Sequence, residues 1–244
     1  MFNAVDSLVG IPQIQFQGIV VDTTPRMQPG QLLTASDNYW GTGEFIYGRA
    51  SAAIRAFGLC VATPVFDATL GAYRWDFSEV PNATNLGRML AVAPLALTAG
   101  QYTWFQVTGI TPVNCTAAVL AGTTFGIAAA GQGGANSASK QVLNAVVVAP
   151  ATTTVVKANC VAASGSTLLQ APNTDGWFVG AYLSGTGIAA GTTIVSIDAT
   201  QRFVTLSAGT TATVAGSVTA TYNNGAVFYN VAHLNRPFAQ GAIT

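Results

Sequence analysis

Glu44, Glu79, Lys140 and Lys157 are all the glutamates and lysines that this 244-residue chain contains, and that shortage constrains its fold more than any other feature. An amphipathic helix needs a solvated face, and strong helix formers such as Glu and Lys normally supply it. What remains is rich in Gly, Ala, Thr and Val, with short β-branched runs cut by Gly, Pro, Asn and Asp. That pattern predicts strands and turns. The plainest strand candidates are Ile14 to Val21, Glu44 to Tyr47, Tyr102 to Val107 and Ala226 to Val231. The expected fold class is mainly β. Half the residues are hydrophobic, so a chain of this length can bury a sizeable core.

Two regions stand apart. From about Val156 to Tyr222 the chain reads as a separable module. In it Thr192 to Asp198 and Arg202 to Ser207 flank the short polar link Ala199-Thr-Gln. Val195 and Ile197 share one face of the first run, Val204 and Leu206 one face of the second, and that period of two predicts a half-buried hairpin. Val214 to Thr221 is a further alternating run that closes the module. At the other end, Pro12, Pro25 and Pro29 with Gly10, Gly18 and Gly30 interrupt residues 1–30, which read equally as an extended arm or as an edge strand and loop.

Charge narrows the range of partners. Nine basic and nine acidic residues cancel, and charged residues make up 7% of the chain, against about 25% in ordinary soluble domains. Little self-repulsion separates copies of such a chain, which favours life inside an assembly. The cations are scattered singly, so nucleic acid is not an expected partner. The charge-free stretch from Met89 to Ser139 is broken by Pro94, Gly100, Gln101, Gln106, Gly109 and Pro112. No run in it approaches the ~20 apolar residues of a spanning helix, and no membrane partner is expected, although a transmembrane β-barrel gives only a weak signal per strand. The N-terminus lacks the basic start and apolar core of a signal peptide. Cys60, Cys115 and Cys160 are widely spaced without a CxxC pair, and read as buried free thiols made in a reducing cytoplasm.

Chemistry is sparse. His233 is the only histidine, and no G-x-S-x-G elbow accompanies it. One His and three scattered Cys do not make a zinc site, Asp175 and Asp198 read as turn residues, and no phosphate-binding glycine loop is present, so no cofactor or metal is expected. Asp76 and Glu79 form the only close carboxylate pair, with Tyr73 and Trp75 nearby as sugar-stacking surfaces for a glycan-cleaving reading. Tyr73, Trp75 and Phe77 also share one strand face, which more commonly means a packed core or subunit contact. Asn82-Ala-Thr84 and Asn114-Cys-Thr116 match the glycosylation acceptor pattern, which needs a secretory route. The expectation is a non-enzymatic structural protein.

Three stretches carry a resemblance: Gly43-Glu-Phe-Ile-Tyr-Gly48, Gly100-Gln-Tyr-Thr-Trp-Phe-Gln106 and the tail Asn235-Arg-Pro-Phe-Ala-Gln-Gly-Ala-Ile-Thr244, with a looser match at Val119-Leu-Ala-Gly122. In that order they resemble the capsid decoration (cement) type of tailed-bacteriophage virion structural protein, over roughly Pro29 to Pro150 and Ala226 to Thr244. Residues 156–222 depart from that pattern. They look like the GTGI-type β-modules of phage fibres and bacterial surface proteins, and so read as an insertion into a core of residues 31–155 plus 223–244.

The resemblance implies an antiparallel β-sandwich or barrel-like core, often trimeric, bound to the major capsid protein on the outer surface of the virion. The contacts expected on this reading are Phe2, Ile11, Ile14 and Phe16 for a docking arm, and Arg236 and Phe238 as interface anchors. Tyr102, Trp104 and Phe105 are expected to serve either the core or a trimer seam. A fibre, spike or receptor-binding protein is the rival, since the inserted module would serve as a projecting binding element. A major capsid protein would ordinarily need long helices and more charge.

Overall fold

The computed structural model describes residues 3–4, 21–37, 39–69, 71–198 and 200–242, and within them the architecture is all β, without a helix. The strands in chain order are β1 (Asn3–Ala4), β2 (Leu32–Asp37), β3 (Gly41–Ala50), β4 (Gly58–Asp67), β5 (Ala72–Glu79) and β6 (Leu90–Ala93). Next come β7 (Tyr102–Gln106), β8 (Thr108–Cys115), β9 (Phe125–Ala129), β10 (Gln132–Ala135) and β11 (Val142–Ala149). They are followed by β12 (Thr154–Ala162), β13 (Leu168–Gln170), β14 (Tyr182–Ser184), β15 (Ile194–Ile197), β16 (Phe203–Leu206), β17 (Val214–Thr221) and β18 (Phe228–Ala239). Two compact units result: Ala151–Phe228, and a core unit made of the described residues before it and from Tyr229 onward. The sequence set the module edges at 156 and 222, inside the first of these.

In the core unit, one sheet runs β1-β2-β3-β5-β4-β6-β7, and a further pairing brings β7 back to β3. The strands β3, β5, β4, β6 and β7 thereby close into a small barrel. Closure depends on the length of β3, which pairs with β2 from Gly41 to Ile46, with β7 from Phe45 to Arg49, and with β5 in parallel at Arg49 and Ala50. So narrow a barrel has room inside only for small side chains and a few large ones. Ala50, Cys60, Ala62, Ala91 and Ala93 are the small ones, and the rings of Phe77 and Phe105 fill the remainder, stacked with centroids 3.8 Å apart and planes within 11°. Such ring pairs add about 0.5–1.5 kcal/mol beyond the area they bury.

Strand alternation sends Phe45 and Tyr47 to the outer face of β3, where they form a second cluster with Ala35 and Trp104. The segment at Asp22 seals it: Asp22 and Tyr102 exchange two backbone hydrogen bonds of 2.8 Å, and the Tyr47 hydroxyl donates to Asp22 Oδ2 at 2.8 Å. Arg26 Nε lies 2.7 Å from the other carboxylate oxygen, so the buried charge is compensated. The stretch from Asp22 to Gly30 is thus tied to the barrel. The strand expected over Ile14 to Val21 lies outside the described residues except for Val21, which packs against the barrel core without being part of a strand.

A second sheet, β11-β18-β8-β10-β9, completes the core unit. A bridge from Gly126 in β9 to Gln141, just before β11, curls it back on itself. The expected strand at Ala226 to Val231 is the start of β18.

The inserted unit is a barrel of its own. Its sheet runs β14-β17-β12-β13-β16-β15, and a Tyr182–Thr193 bridge, with Ile194 N–H donating to Ala181 O at 3.0 Å, joins the two ends. Cys160, Leu169, Ile194, Val204, Val218 and Tyr222 fill it. The predicted hairpin is β15–β16, with Val204 and Leu206 buried. A bulge between Ile194 and Ser196 gives the interior position to Ile194 and turns Val195 outward.

Candidate interaction surface

Among the described residues, ten charged side chains are tied to one another in ion pairs. Arg74 Nε donates to Asp76 Oδ1 at 2.8 Å and its Nη1 is bonded to Asp67, while Arg49 lies 3.7 Å from the other oxygen of Asp76. Arg55 grips Glu79 with Nε at 2.7 Å, Nη2 at 3.0 Å and its backbone N–H at 3.0 Å. Three bonds from one arginine fix that carboxylate against the barrel mouth.

The carboxylate pair singled out in the sequence does not converge. Asp76 and Glu79 are three residues apart on β5, so alternation places them on opposite faces of the strand, each held by its own arginine. Tyr73, Trp75 and Phe77 do share a face, and burial deepens along it: Tyr73 is 70% exposed, Trp75 packs at the rim, and Phe77 is fully buried. His233 stands exposed on β18 opposite Val146. Among the described residues no group of three or more His, Cys, Asp or Glu could hold a metal ion, and no helix is long and apolar enough to cross a membrane. The three thiols are buried and unpaired. Burial pushes the Cys115 thiol up to about 11 and raises Cys60 and Cys160 as well, which keeps all three protonated at neutral pH.

The expected contact residues separate into three groups. Phe2, Ile11, Ile14 and Phe16 lie outside the described residues. Phe105 is sealed inside the first barrel, and Trp104 packs against Tyr47 at 5.2 Å with Tyr102 on the other side at 6.1 Å, so these aromatics build the chain's own two clusters. Arg236 and Phe238 are at the surface on β18. Arg236 reaches Glu44 at 3.2 Å, and Phe238 is paired across the sheet with Leu143, both partly exposed.

Exposed apolar side chains outside the expected contact set are more prominent. At the tip of the β4–β5 hairpin Phe66 and Tyr73 face each other in register, edge to face at 5.5 Å. Leu120 stands out of the core unit, and Val156, Val161, Leu168 and Val195 out of the inserted one. The hairpin pair had a sequence signal, since an Asp67-to-Ala72 turn puts Phe66 opposite Tyr73; the others become visible only once strand register is known. Compared with known proteins, the chain matches no family model, no curated protein and no solved structure.

Proposed function

We propose that the chain is a structural protein of a tailed-bacteriophage particle that decorates the capsid and stabilises it by binding the major capsid protein. The observation that carries this reading is where the three resembling stretches meet. The first and second are neighbours, with Phe45 opposite Gln106 and Tyr47 opposite Trp104. The tail joins them: Arg236 donates its backbone N–H to Val107 O at 2.8 Å and its guanidinium to Glu44, while Val107 N–H donates to Glu44 O at 2.9 Å. Stretches separated by 192 residues in the chain act as one structural unit around Glu44, Val107 and Arg236.

The physical mechanism is adhesion by a stiff body. Closed barrels have no long free edge to unravel or aggregate through, and charges tied in pairs leave exposed apolar side chains such as Phe66, Tyr73 and Phe238 to make contact. A contact of ~1,600 Å² is the usual size for specific association. Repeated over a lattice, modest contacts hold tightly through effective concentration. Binding to the assembled shell alone would stabilise it by about 3 kcal/mol per site at a hundredfold excess over the dissociation constant.

Electron cryomicroscopy of the particles tests this. Symmetric density for the chain on the outside of an icosahedral shell supports decoration. Density confined to the tail or one vertex overturns it in favour of a fibre or receptor-binding role.

A further inference from the structure

Asn224-Gly225 is the only Asn-Gly step in the chain, and it lies in the exposed turn between β17 and β18. The turn is pinned at its base. Asn223 and Phe228 are bridged, Asn223 Nδ2 donates to Ala151 O at 2.6 Å, and Asn224 N–H donates to Val227 O at 3.3 Å. Within it, Asn224 Oδ1 accepts from the backbone N–H groups of Ala226 and Val227, both at 2.9 Å. Gly225 has a φ of 88°, and a β-carbon there would meet nothing within 4 Å. Neither the Gly225 N–H nor Asn224 Nδ2 has an acceptor among the described residues.

The requirements of one reaction meet here. The Gly225 nitrogen can attack Asn224 Cγ and close a succinimide ring, and glycine brings no side chain to hinder the approach. Its N–H is open to hydroxide. As the new bond forms, negative charge develops on Oδ1, where the Ala226 and Val227 N–H groups already stand at hydrogen-bond distance, the arrangement of an oxyanion hole. We propose that Asn224 is a site of spontaneous deamidation driven by this turn. Hydroxide takes the Gly225 amide proton, the N–Cγ bond forms, and the Cγ–Nδ2 bond breaks as Nδ2 takes a proton from water and leaves as ammonia. Water then opens the ring at either carbonyl, leaving aspartate or isoaspartate at this position. Aspartate keeps an acceptor for both N–H groups, whereas isoaspartate lengthens the main chain of the turn by a methylene. Either product adds a negative charge to a chain whose formal net charge is zero. The inference is independent of the shell reading.

Timed incubation of the purified full-length chain in mildly alkaline buffer, followed by peptide mapping with mass spectrometry, tests it. Asn224 should gain one mass unit, as aspartate and isoaspartate, at least tenfold faster than the exposed Asn82 and Asn85, which precede Ala83 and Leu86. The rate should rise with pH. It should also be no lower in the folded chain than in the chain unfolded in guanidinium chloride, because the turn supplies the two donors. Asn224→Gln, which would have to close a larger ring, should stop the acidic form from accumulating on anion exchange, and Asn224→Asp should elute with that form from the start. The proposal is overturned if the folded chain keeps Asn224 intact, modifies it no faster than Asn82 or Asn85, or modifies it more slowly than the unfolded chain does.

Discussion

Gly48 and Phe77 occupy one space: a β-carbon on Gly48 would lie 2.3 Å from Cε2 and 2.6 Å from Cδ2 of the Phe77 ring. The ring cannot retreat, because Phe105 is stacked on its other side at 3.8 Å. The absent side chain on β3 is what lets the barrel close around two phenyl rings. Gly48→Ala should therefore destabilise the core unit by about 1–3 kcal/mol, the usual cost of overpacking, read as a lower urea midpoint. In a Phe77→Leu background the same change should cost much less. Equal costs in both backgrounds would show that the clash is not the cause.

The Glu44–Arg236 pair makes a weaker prediction. Its side chains are 34% and 63% exposed, so screening limits the pair to less than about 1 kcal/mol. Arg236 also has a φ of 52°, a left-handed conformation that any β-carbon disfavours. Arg236→Gly loses the pair but relieves the backbone, and should be close to neutral. Glu44→Gln keeps the strain and should destabilise slightly, by an amount that 0.5 M salt erases. If chemical denaturation ranks Arg236→Gly as the more damaging change, the latch is stronger than its exposure implies.

Alkaline pH should weaken the fold. Burial raises the Cys115 thiol to about 11 from its ordinary 9.0, and raises Cys60, Cys160, Tyr47 and Tyr182 in the same direction. A raised acid holds its proton in the folded chain after the unfolded chain has released it. Stability is accordingly unaffected below about pH 9 and falls as pH rises toward 11, with Cys115 alone contributing up to about 2–3 kcal/mol of the loss. Cys115→Ala should be less stable at pH 7 yet show a shallower decline between pH 9 and 11. A decline as steep as the wild type's would assign the pH dependence elsewhere.

Much of this was legible in the sequence because local signals carried it. Missing Glu and Lys excluded solvated helices, apolar runs bounded by turn residues located β3 and β7, and alternation located β17 and the β15–β16 hairpin. Closure was not legible. Each sheet curls back through contacts outside its consecutive strand pairs, such as Phe45 with Gln106, Gly126 with Gln141 and Tyr182 with Thr193, and strand periodicity does not encode them. The Val195 face was misplaced for a related reason: a bulge shifts alternation by one residue without marking its composition. Among the aromatics, periodicity could not tell that Phe105 lines a barrel interior while Tyr73, on a strand of similar pattern, is mostly exposed.

Asp198 gives the inserted unit a test of its own. Its Oδ1 accepts from the backbone N–H groups of Arg202 at 3.0 Å and Phe203 at 2.8 Å, and its Oδ2 from Thr200 N–H at 3.0 Å. These bonds hold the turn between β15 and β16; burial works to raise the carboxyl's pKa, but the hydrogen bonds from the Thr200 hydroxyl and the backbone N–H groups outweigh it and hold the group below its ordinary 3.8. Asp198→Ala should cost about 1–2 kcal/mol, the value of losing several bonds to a partly solvated carboxylate. Asp198→Asn keeps one acceptor oxygen and should lie between the variant and the wild type. A depressed acid stabilises above its unfolded pKa and loses that effect as pH falls through its folded value. The gap between wild type and Asp198→Asn should thus be full at pH 6 and shrink below pH 3.8. A gap that stays constant down to pH 2 would mean that turn geometry, rather than the ionised carboxylate, holds the hairpin.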